Sequence, residues 1–250
     1  MKTRGSDMLL KVIATGSTAN CYVIETPTQS LILDAGVAYK KLLPHIGNLR
    51  NVAGCLVTHR HMDHARGATS FSDHGIDVYM SPGEAAGIPC KFVKGNTLYG
   101  IGDFDVLPFA VEHDTPEPLG FLVRYVPTGE LLLYATDTYY LRWVFADVNY
   151  WVIECNYCSD ILDRQLGTGE IADALCRRLK KSHMSLETLK IALNANDMSK
   201  ASKIVLVHLS DERSDKARME REIHDLTGVD TVAADNGMYI DLRRDPCAGA

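Results

Sequence analysis

The sequence lacks a long apolar run. The first sixteen residues, MKTRGSDMLLKVIATG, hold several charged side chains and only a short apolar stretch before a polar segment. A membrane-spanning helix needs about 20 apolar residues, and a secretory signal needs a longer apolar core than this one. We therefore expect a cytoplasmic protein that does not enter a membrane.

Paired cysteines and an excess of positive charge are also scarce. The seven cysteines are odd in number and follow no framework spacing, so with no secretion signal we expect reduced thiols. The 26 lysines and arginines are outnumbered by 32 aspartates and glutamates, which gives a net charge of −6. This balance provides no overall attraction for a polyanion, although a local basic face stays compatible with it.

Short apolar runs of strand length recur along all 250 residues. Helix-like stretches are interleaved with them, chiefly after about residue 140, and no linker or low-complexity tract divides the chain. This order predicts one layered α/β or α+β domain spanning residues 1–250. The helix-like stretches are residues 39–47, 82–87, 169–181, 185–197 and 214–228.

Residues 58–67, THRHMDHARG, concentrate metal-binding side chains directly after an apolar strand. Imidazole nitrogens and carboxylate oxygens suit Zn²⁺ or a similar divalent ion. Four ligands in one turn of chain are too crowded for a single tetrahedral ion, whereas two ions roughly 3.5 to 4 Å apart would use all of them. The segment therefore predicts a two-metal site formed by His59, His61, Asp63 and His64 together with further ligands.

Other parts of the chain offer such ligands. His113, Asp137 and His208 each follow an apolar, strand-like run, and His183 follows a basic helix-like segment. Side chains at the ends of strands are well placed to build a site on a rigid scaffold. The histidines outside these positions, His45, His74 and His224, are expected to be ordinary surface or core residues.

The His-x-His-x-Asp-His pattern at 59–64 resembles that of the metallo-β-lactamase superfamily. The resemblance extends to Asp34 in LILDAG and to the three strand-end ligands downstream, so it covers nearly the whole chain. It implies a four-layer αββα sandwich with two central mixed sheets and the metals at one edge. It also implies two divalent ions, with Zn²⁺ favoured and Mn²⁺ as the alternative.

The resemblance implies a role for each candidate residue. His59, His61 and His113 would hold the first metal, and Asp63, His64 and His208 the second. Asp137 would bridge the two ions, an aspartate bridge being typical of the phosphodiesterase branches, and Asp34 would orient a ligand histidine. The nucleophile would be a metal-bridging hydroxide held by Asp63.

A leaving oxygen needs a proton donor, and the resemblance to tRNase Z and the WalJ-like exonucleases implies His183, oriented by Glu154. His183 and His208 compete for the second-metal role; we favour His208 because it ends a strongly apolar strand. A basic run precedes His183 and predicts either a phosphate-binding face or a solvated helix end. This run consists of Arg177, Arg178, Lys180 and Lys181.

Several functions are compatible with these residues. The acidic balance and the absence of an arm for tRNA favour a phosphodiesterase for a small, cyclic nucleotide, similar to phage-encoded relatives of tRNase Z. The alternative is a WalJ-like or tRNase Z-like nuclease that acts on DNA or RNA. A glyoxalase-like thioesterase and a non-catalytic metal-binding protein are less favoured. The resemblance also implies a homodimer.

The segment after Asp137 is rich in aromatic residues. For Tyr139, Tyr140 and Trp143, packing in the core is favoured over stacking on a nucleic acid base.

Overall fold

The computed structural model describes residues 8–242, and within them the strands form two seven-stranded sheets. The first, the N-terminal sheet, has the order β14-β1-β2-β3-β4-β5-β6, in which β14 to β3 are antiparallel and β3 to β6 are parallel. Its strands are β1 (Leu9–Ala14), β2 (Cys21–Glu25), β3 (Ser30–Leu33), β4 (Val52–Leu56), β5 (Val78–Met80), β6 (Lys91–Phe92) and β14 (Tyr239–Asp241).

The second, the C-terminal sheet, has the order β13-β12-β11-β10-β9-β8-β7. Strands β10 to β13 are parallel, and β7 to β10 are antiparallel, so both sheets are mixed. Its strands are β7 (Tyr99–Ile101), β8 (Phe104–Ala110), β9 (Leu119–Tyr125), β10 (Glu130–Ala135), β11 (Tyr150–Glu154), β12 (Lys203–Val207) and β13 (Asp230–Ala233).

The alternation of side chains along each strand explains how the sheets pack. In β2, Tyr22 and Ile24 point into a core shared by the two sheets, while Cys21 and Val23 point outward into a core shared with helices. Strand β11 behaves similarly, with Trp151 on its helix-covered face. Strands buried on both faces read as continuous apolar runs, which is the pattern seen in the sequence.

Helices cover the outer face of each sheet and complete the predicted αββα sandwich. The helices are α1 (Tyr39–Leu42), α2 (Met62–Ala65), α3 (Ala68–Asp73), α4 (Ser159–Thr168), α5 (Asp173–Ser182), α6 (Leu186–Asn194) and α7 (Lys216–Thr227), with short 3₁₀ turns at Leu43–His45 and Leu49–Asn51. Helix α6 begins as the sequence predicts, because the Ser185 side chain accepts a hydrogen bond from the Thr188 amide. Within residues 8–242, no helix combines the length and apolarity needed to cross a membrane.

The helix predicted over residues 82–87 is wrong, because this segment forms turns. Ala86 and Gly87 have φ angles of 46° and 86°, which a right-handed helix does not allow. The segment also contains Glu84, whose side chain is fully buried.

Candidate metal centre

The predicted site residues converge at one edge of the two sheets, where strands end. Asp34 follows β3, Asp137 lies two residues beyond β10, and His208 follows β12. These three residues have φ angles of 59°, 49° and 56°, a left-handed conformation that is uncommon outside glycine. Such backbone conformations persist only where the surrounding structure imposes them, and they cluster at functional sites.

The first predicted ligand set comes together around Asp137. The ligand atoms of His59, His61, His113 and Asp137 all lie within 4.8 Å of one another. The Asp137 Oδ2 atom is 3.5 Å from His59 Nε2 and 3.6 Å from His113 Nε2. His113 Nε2 is 3.2 Å from His61 Nδ1. These spacings would allow the four side chains to bind one ion.

The second predicted set shares the same aspartate. The ligand atoms of Asp63, His64, Asp137 and His208 also lie within 4.8 Å of one another. His64 Nε2 is 3.2 Å from Asp63 Oδ2 and 3.3 Å from Asp137 Oδ2, and His208 Nε2 is 3.6 Å from Asp63 Oδ2. Asp137 belongs to both sets, which is the position that a bridging ligand requires.

Two buried imidazole nitrogens in these sets have no hydrogen-bond partner, namely His59 Nε2 and His208 Nε2. The outer nitrogens of the ligand histidines are engaged: His59 Nδ1 contacts Thr58 Oγ1 at 3.0 Å, and His113 Nδ1 donates to the Ser182 carbonyl at 3.1 Å. A donor at Nδ1 leaves a lone pair at Nε2, aimed inward. A buried unpartnered nitrogen is costly unless a metal or another group binds it, so the donor set fits divalent metal ions.

The electrostatics of the cluster favour ionised carboxylates. Burial alone would raise the pKa values of Asp63 and Asp137, but hydrogen bonds and charges from His208 and His64 outweigh burial and lower both. Burial, followed by the influence of His64, lowers the pKa of His59. For His208, burial acts downward, but the surrounding carboxylates, Asp137 foremost, raise its pKa to about 10. A metal ion bound to His208 would therefore displace a proton.

Asp34 lies in the position predicted for an orienting residue. Its fully buried carboxylate is 2.7 Å from His64 Nδ1 and accepts the Tyr134 hydroxyl at 2.6 Å through Oδ2. Its other oxygen accepts from the Thr58 amide at 2.8 Å and the Thr58 hydroxyl at 2.9 Å. The adjoining Gly36 is required sterically, because a Cβ there would lie 1.8 Å from the Asp63 carbonyl oxygen.

His183 and Glu154 form the predicted pair. His183 directly follows α5, and its Nδ1 donates to Glu154 Oε1 at 2.7 Å. The other carboxylate oxygen of Glu154 accepts from the Thr138 amide at 2.8 Å and the Met184 amide at 3.3 Å. Burial alone would lower the pKa of His183, but Glu154 raises it above the ordinary value. A cationic, oriented imidazole suits a proton donor.

Of the four basic residues that precede His183, one lies at the site and three lie on the surface. Arg178 lines a cavity of about 200 Å³ above the cluster, and its Nε lies 3.7 Å from Asp114 Oδ2. Arg177 pairs with Asp173, Lys180 pairs with Asp163 at 2.7 Å, and Lys181 is exposed. The residues lining the cavity are Ser17, His61, Asp63, His113, Asp137, Leu175, Arg178, Leu179, His183 and His208.

The aromatic segment after Asp137 differs from the prediction of core packing. Tyr139 and Tyr140 are exposed, with 40% and 46% of their surface accessible, so the prediction is wrong for both. Trp143 is half-buried against the core beneath the C-terminal sheet and donates from Nε1 to the Ala110 carbonyl at 2.8 Å.

Three contributors to the site were missed in the sequence. Asp114 follows His113 and has its Oδ1 atom 3.2 Å from His113 Nε2, and Ser17 lines the cavity. Glu84 bonds to the loops that carry the histidines. Asp114 adjoins a ligand histidine, and Ser17 belongs to a Gly-Ser turn at residues 16–17, which by itself is weak evidence for a phosphate-binding loop. Glu84 lies far from any motif, so nothing in its neighbourhood identifies it.

Comparisons with known proteins agree with this architecture. Residues 14–136 match the model of the metallo-beta-lactamase superfamily. The chain is 25% identical to exodeoxyribonuclease WalJ of Streptococcus pneumoniae over 93% of this chain and 91% of that protein. It is 28% identical to exodeoxyribonuclease YycJ of Bacillus anthracis over 80% and 81% of the two chains.

Among solved structures, the metallo-beta-lactamase fold protein YhfI from Bacillus subtilis superposes with a TM-score of 0.70 at 15% identity, covering 95% of this chain and 99% of that one. At this identity the likeness concerns the fold. The matched segment contains Asp34 and the histidine-rich turn and ends one residue before Asp137, and the remaining strands complete the same sandwich. Residues 14–136 thus match the metallo-β-lactamase superfamily, and the described chain has the sandwich fold of a metallo-beta-lactamase fold protein.

Proposed function

We propose that this protein is a two-metal phosphodiesterase that cleaves a nucleic acid strand. The observation that carries the proposal is the position of the His183–Glu154 pair beside two adjoining ligand sets that share Asp137. The exonuclease names of the two relatives support a DNA strand as the substrate. This proposal reverses the order of preference given by net charge, which favours a small cyclic nucleotide.

The residues of the two sets have distinct tasks in this proposal. His59, His61 and His113 would hold one divalent ion, with Zn²⁺ favoured, and Asp63, His64 and His208 would hold the other, with Asp137 between them. Two such ions, when bound, would lower the pKa of a water and neutralise charge on a phosphoryl group.

The chain's own residues orient the nucleophile and protonate the leaving oxygen. Asp63 lines the cavity, and its lowered pKa keeps it ionised, so its carboxylate can accept a hydrogen bond from the attacking hydroxide and orient it. The proton that the water loses in forming this hydroxide passes to solvent. The hydroxide oxygen bonds to phosphorus as the bond to the leaving oxygen breaks. His183 gives its proton to that leaving oxygen, while Glu154 holds the opposite ring nitrogen.

The second-metal role goes to His208 in this proposal. His208 joins Asp63, His64 and Asp137 in one ligand set, whereas His183 shares a third group with Asp137, Glu154 and His208 that does not include Asp63. The side chain of His183 is 17% exposed, and that of His208 is 1% exposed. A proton donor must reach the substrate, and a metal ligand need not, so this difference supports the assignment.

Arg178 lines the cavity, and this position supports it as the phosphate-binding residue of the basic run. A guanidinium can bind two phosphoryl oxygens at once, which positions a diester for attack. The cavity of about 200 Å³ is small relative to the 300 to 1,000 Å³ typical of ligand pockets, so the scissile phosphate enters and the rest of the strand lies outside.

The cellular setting is also part of the proposal. Each of the six cysteines in the described residues is free, and five of them are buried, which fits a reducing compartment such as the cytoplasm. The homodimer and the phage-type relationship stay predictions from the resemblance.

A side-by-side assay tests the substrate. Purified protein is incubated with end-labelled single- and double-stranded DNA, RNA, 3′,5′-cyclic nucleotides, bis(p-nitrophenyl) phosphate and a thioester, with the Asp137→Ala variant as the inactive control. We expect shortening of the DNA strand and hydrolysis of the chromogenic diester. Activity confined to cyclic nucleotides would restore the small-nucleotide alternative, and activity confined to the thioester would reject a phosphodiesterase.

A further inference from the structure

Glu84 is a fully buried carboxylate that belongs to neither ligand set. It lies in the turn after β5, outside every motif that the sequence presents. Its Oε2 atom accepts from the Arg60 amide at 3.0 Å and from Arg60 Nε at 3.2 Å. Its Oε1 atom accepts from the Glu117 amide at 2.8 Å. One side chain therefore connects two separate loops.

Those two loops carry the three histidines of the first set. Arg60 lies between His59 and His61, and Glu117 is in the loop that connects His113 to β9. The connection is reinforced in the reverse direction, because Glu117 Oε2 accepts from the Gly83 amide at 2.8 Å. The Glu84 side chain thus joins the two loops that carry the first-set histidines.

The second set is supported by a different residue. Asp34 holds His64 directly, and no described contact joins Asp34 to Glu84. Two buried carboxylates therefore divide the support of the cluster. Asp34 reaches the first set indirectly, through Thr58, whose hydroxyl contacts His59, and through His64, which contacts the shared Asp137. His61 and His113 are instead carried by the loops that Glu84 joins.

The chemistry of the contacts explains why a carboxylate is needed. Both oxygens of Glu84 accept hydrogen bonds from N–H groups, and the guanidinium of Arg60 balances the buried charge. A glutamine would turn its own NH₂ group toward one of these donors, since only one end of an amide can accept. Substitution would leave a buried backbone N–H without a partner and free one loop from the other.

We propose that Glu84 is a positioning residue that controls occupancy of the metal site formed by His59, His61 and His113, although it does not touch the ion. The inference rests on the proposed two-metal function. It differs from that function in predicting that the two sites respond separately to one substitution. It predicts a selective defect, in which the first site weakens and the second keeps its affinity.

The test is zinc titration of Glu84→Gln, with bound zinc per chain measured after dialysis against a zinc buffer. We expect zinc binding at the second site to be unchanged and binding at the first site to weaken 10- to 100-fold, the range typical of residues that support metal ligands. The matched control is Glu222→Gln, which alters an ion-pair carboxylate on α7 away from the cluster and should bind zinc as wild type does.

A double-variant comparison locates the effect. In a variant that already carries His61→Ala, Glu84→Gln should cause little further loss of zinc affinity at the first site. In a variant that carries His208→Ala, Glu84→Gln should weaken the first site as much as it does in the wild-type protein. Wild-type zinc affinity at both sites in folded Glu84→Gln, shown by circular dichroism, would overturn the inference. Equal weakening of both sites would also overturn it, because that result indicates a general structural role.

Two safeguards keep the outcomes separate. If Glu84→Gln does not fold, Arg60→Ala replaces it: this variant keeps the Arg60 amide but loses the Nε contact, and we expect a smaller, first-site-selective loss. An unchanged first site in Arg60→Ala would then contradict the proposal. Failure of the proposed function appears in the wild-type protein, as binding of fewer than two zinc ions, and is therefore distinguishable from failure of this inference.

Discussion

His183 and His208 share one carboxylate oxygen: the Oε1 atom of Glu154 lies 2.7 Å from His183 Nδ1 and 3.0 Å from His208 Nδ1. Glu154 is fully buried, so both contacts act in a site shielded from water. One side chain therefore orients the proposed proton donor and the proposed second-metal ligand. The two histidines can be distinguished by what each loses on substitution.

Replacing His183 by alanine should reduce the rate and leave the metal content intact. A positioned general acid contributes roughly 10²- to 10⁴-fold, so we expect a loss of turnover in that range. Replacing His208 by alanine should remove about one metal per chain. The measurement is zinc per chain beside turnover for both variants. Metal loss in His183→Ala with full retention in His208→Ala would exchange the two roles.

The Glu154→Gln variant should shift the alkaline limb of the pH–rate profile to lower pH. Burial acts to lower the pKa of His183, and Glu154 raises it above its ordinary value of 6.5. The acid must be protonated, so activity is present below this pKa and is lost as the pH rises through it. Neutralising Glu154 lowers the pKa, and the loss begins at a lower pH. An unshifted limb would mean that another group donates the proton.

Replacing Arg178 by alanine should weaken substrate binding. Arg178 lines the cavity, whereas Lys181 on the same helix is exposed and outside the lining residues, so Lys181→Ala is a control that removes the same charge. A charge-assisted bond contributes about 1.5 to 3 kcal/mol when shielded, and the exposure of Arg178 reduces this value. We expect roughly tenfold lower kcat/KM for Arg178→Ala, carried by KM, and near wild-type values for Lys181→Ala. Equal losses of kcat/KM in the two variants would mean that the positive charge of the helix, and not the position of Arg178 in the cavity, supports substrate binding.

Replacing Asp34 by asparagine should weaken metal binding without removing a ligand. The carboxylate accepts from His64, Thr58 and Tyr134, and an amide can preserve only part of this network. Residues that orient metal-bound histidines typically contribute 10- to 100-fold to affinity. Competition with a zinc indicator measures the change. Wild-type affinity in Asp34→Asn would show that the His64 ring is oriented by other contacts.

Much of the fold follows from the sequence because its strands are buried on both faces. Runs such as Cys21–Glu25 and Tyr150–Glu154 are continuous and apolar, and they form β2 and β11 as expected. Strands β6, β7 and β13 have only two to four residues, and the pairing with longer neighbours stabilises them more than their own composition does. These three strands are not predicted from the sequence. Helix α4 is not predicted either, because its apolar positions are few.

The ligands could be predicted because chemistry restricts them to a few residue types at strand ends. The structure gathers the seven predicted ligands into two sets that share Asp137. Supporting residues carry no such signature. Glu84 reads as an ordinary acid in a turn, and its role depends on loops distant in sequence. The partition of the basic run also depends on which side of α5 faces the cavity, which places Arg178 there.

Metal content measured together with activity tests the central claim most directly. The purified protein is stripped with a chelator, analysed by mass spectrometry for bound metal, assayed on a chromogenic phosphodiester, and then reconstituted with Zn²⁺ or Mn²⁺. We predict close to two ions per chain in the active protein, no turnover in the stripped protein, and recovery as the second ion binds. Full activity in a metal-free preparation would contradict the account.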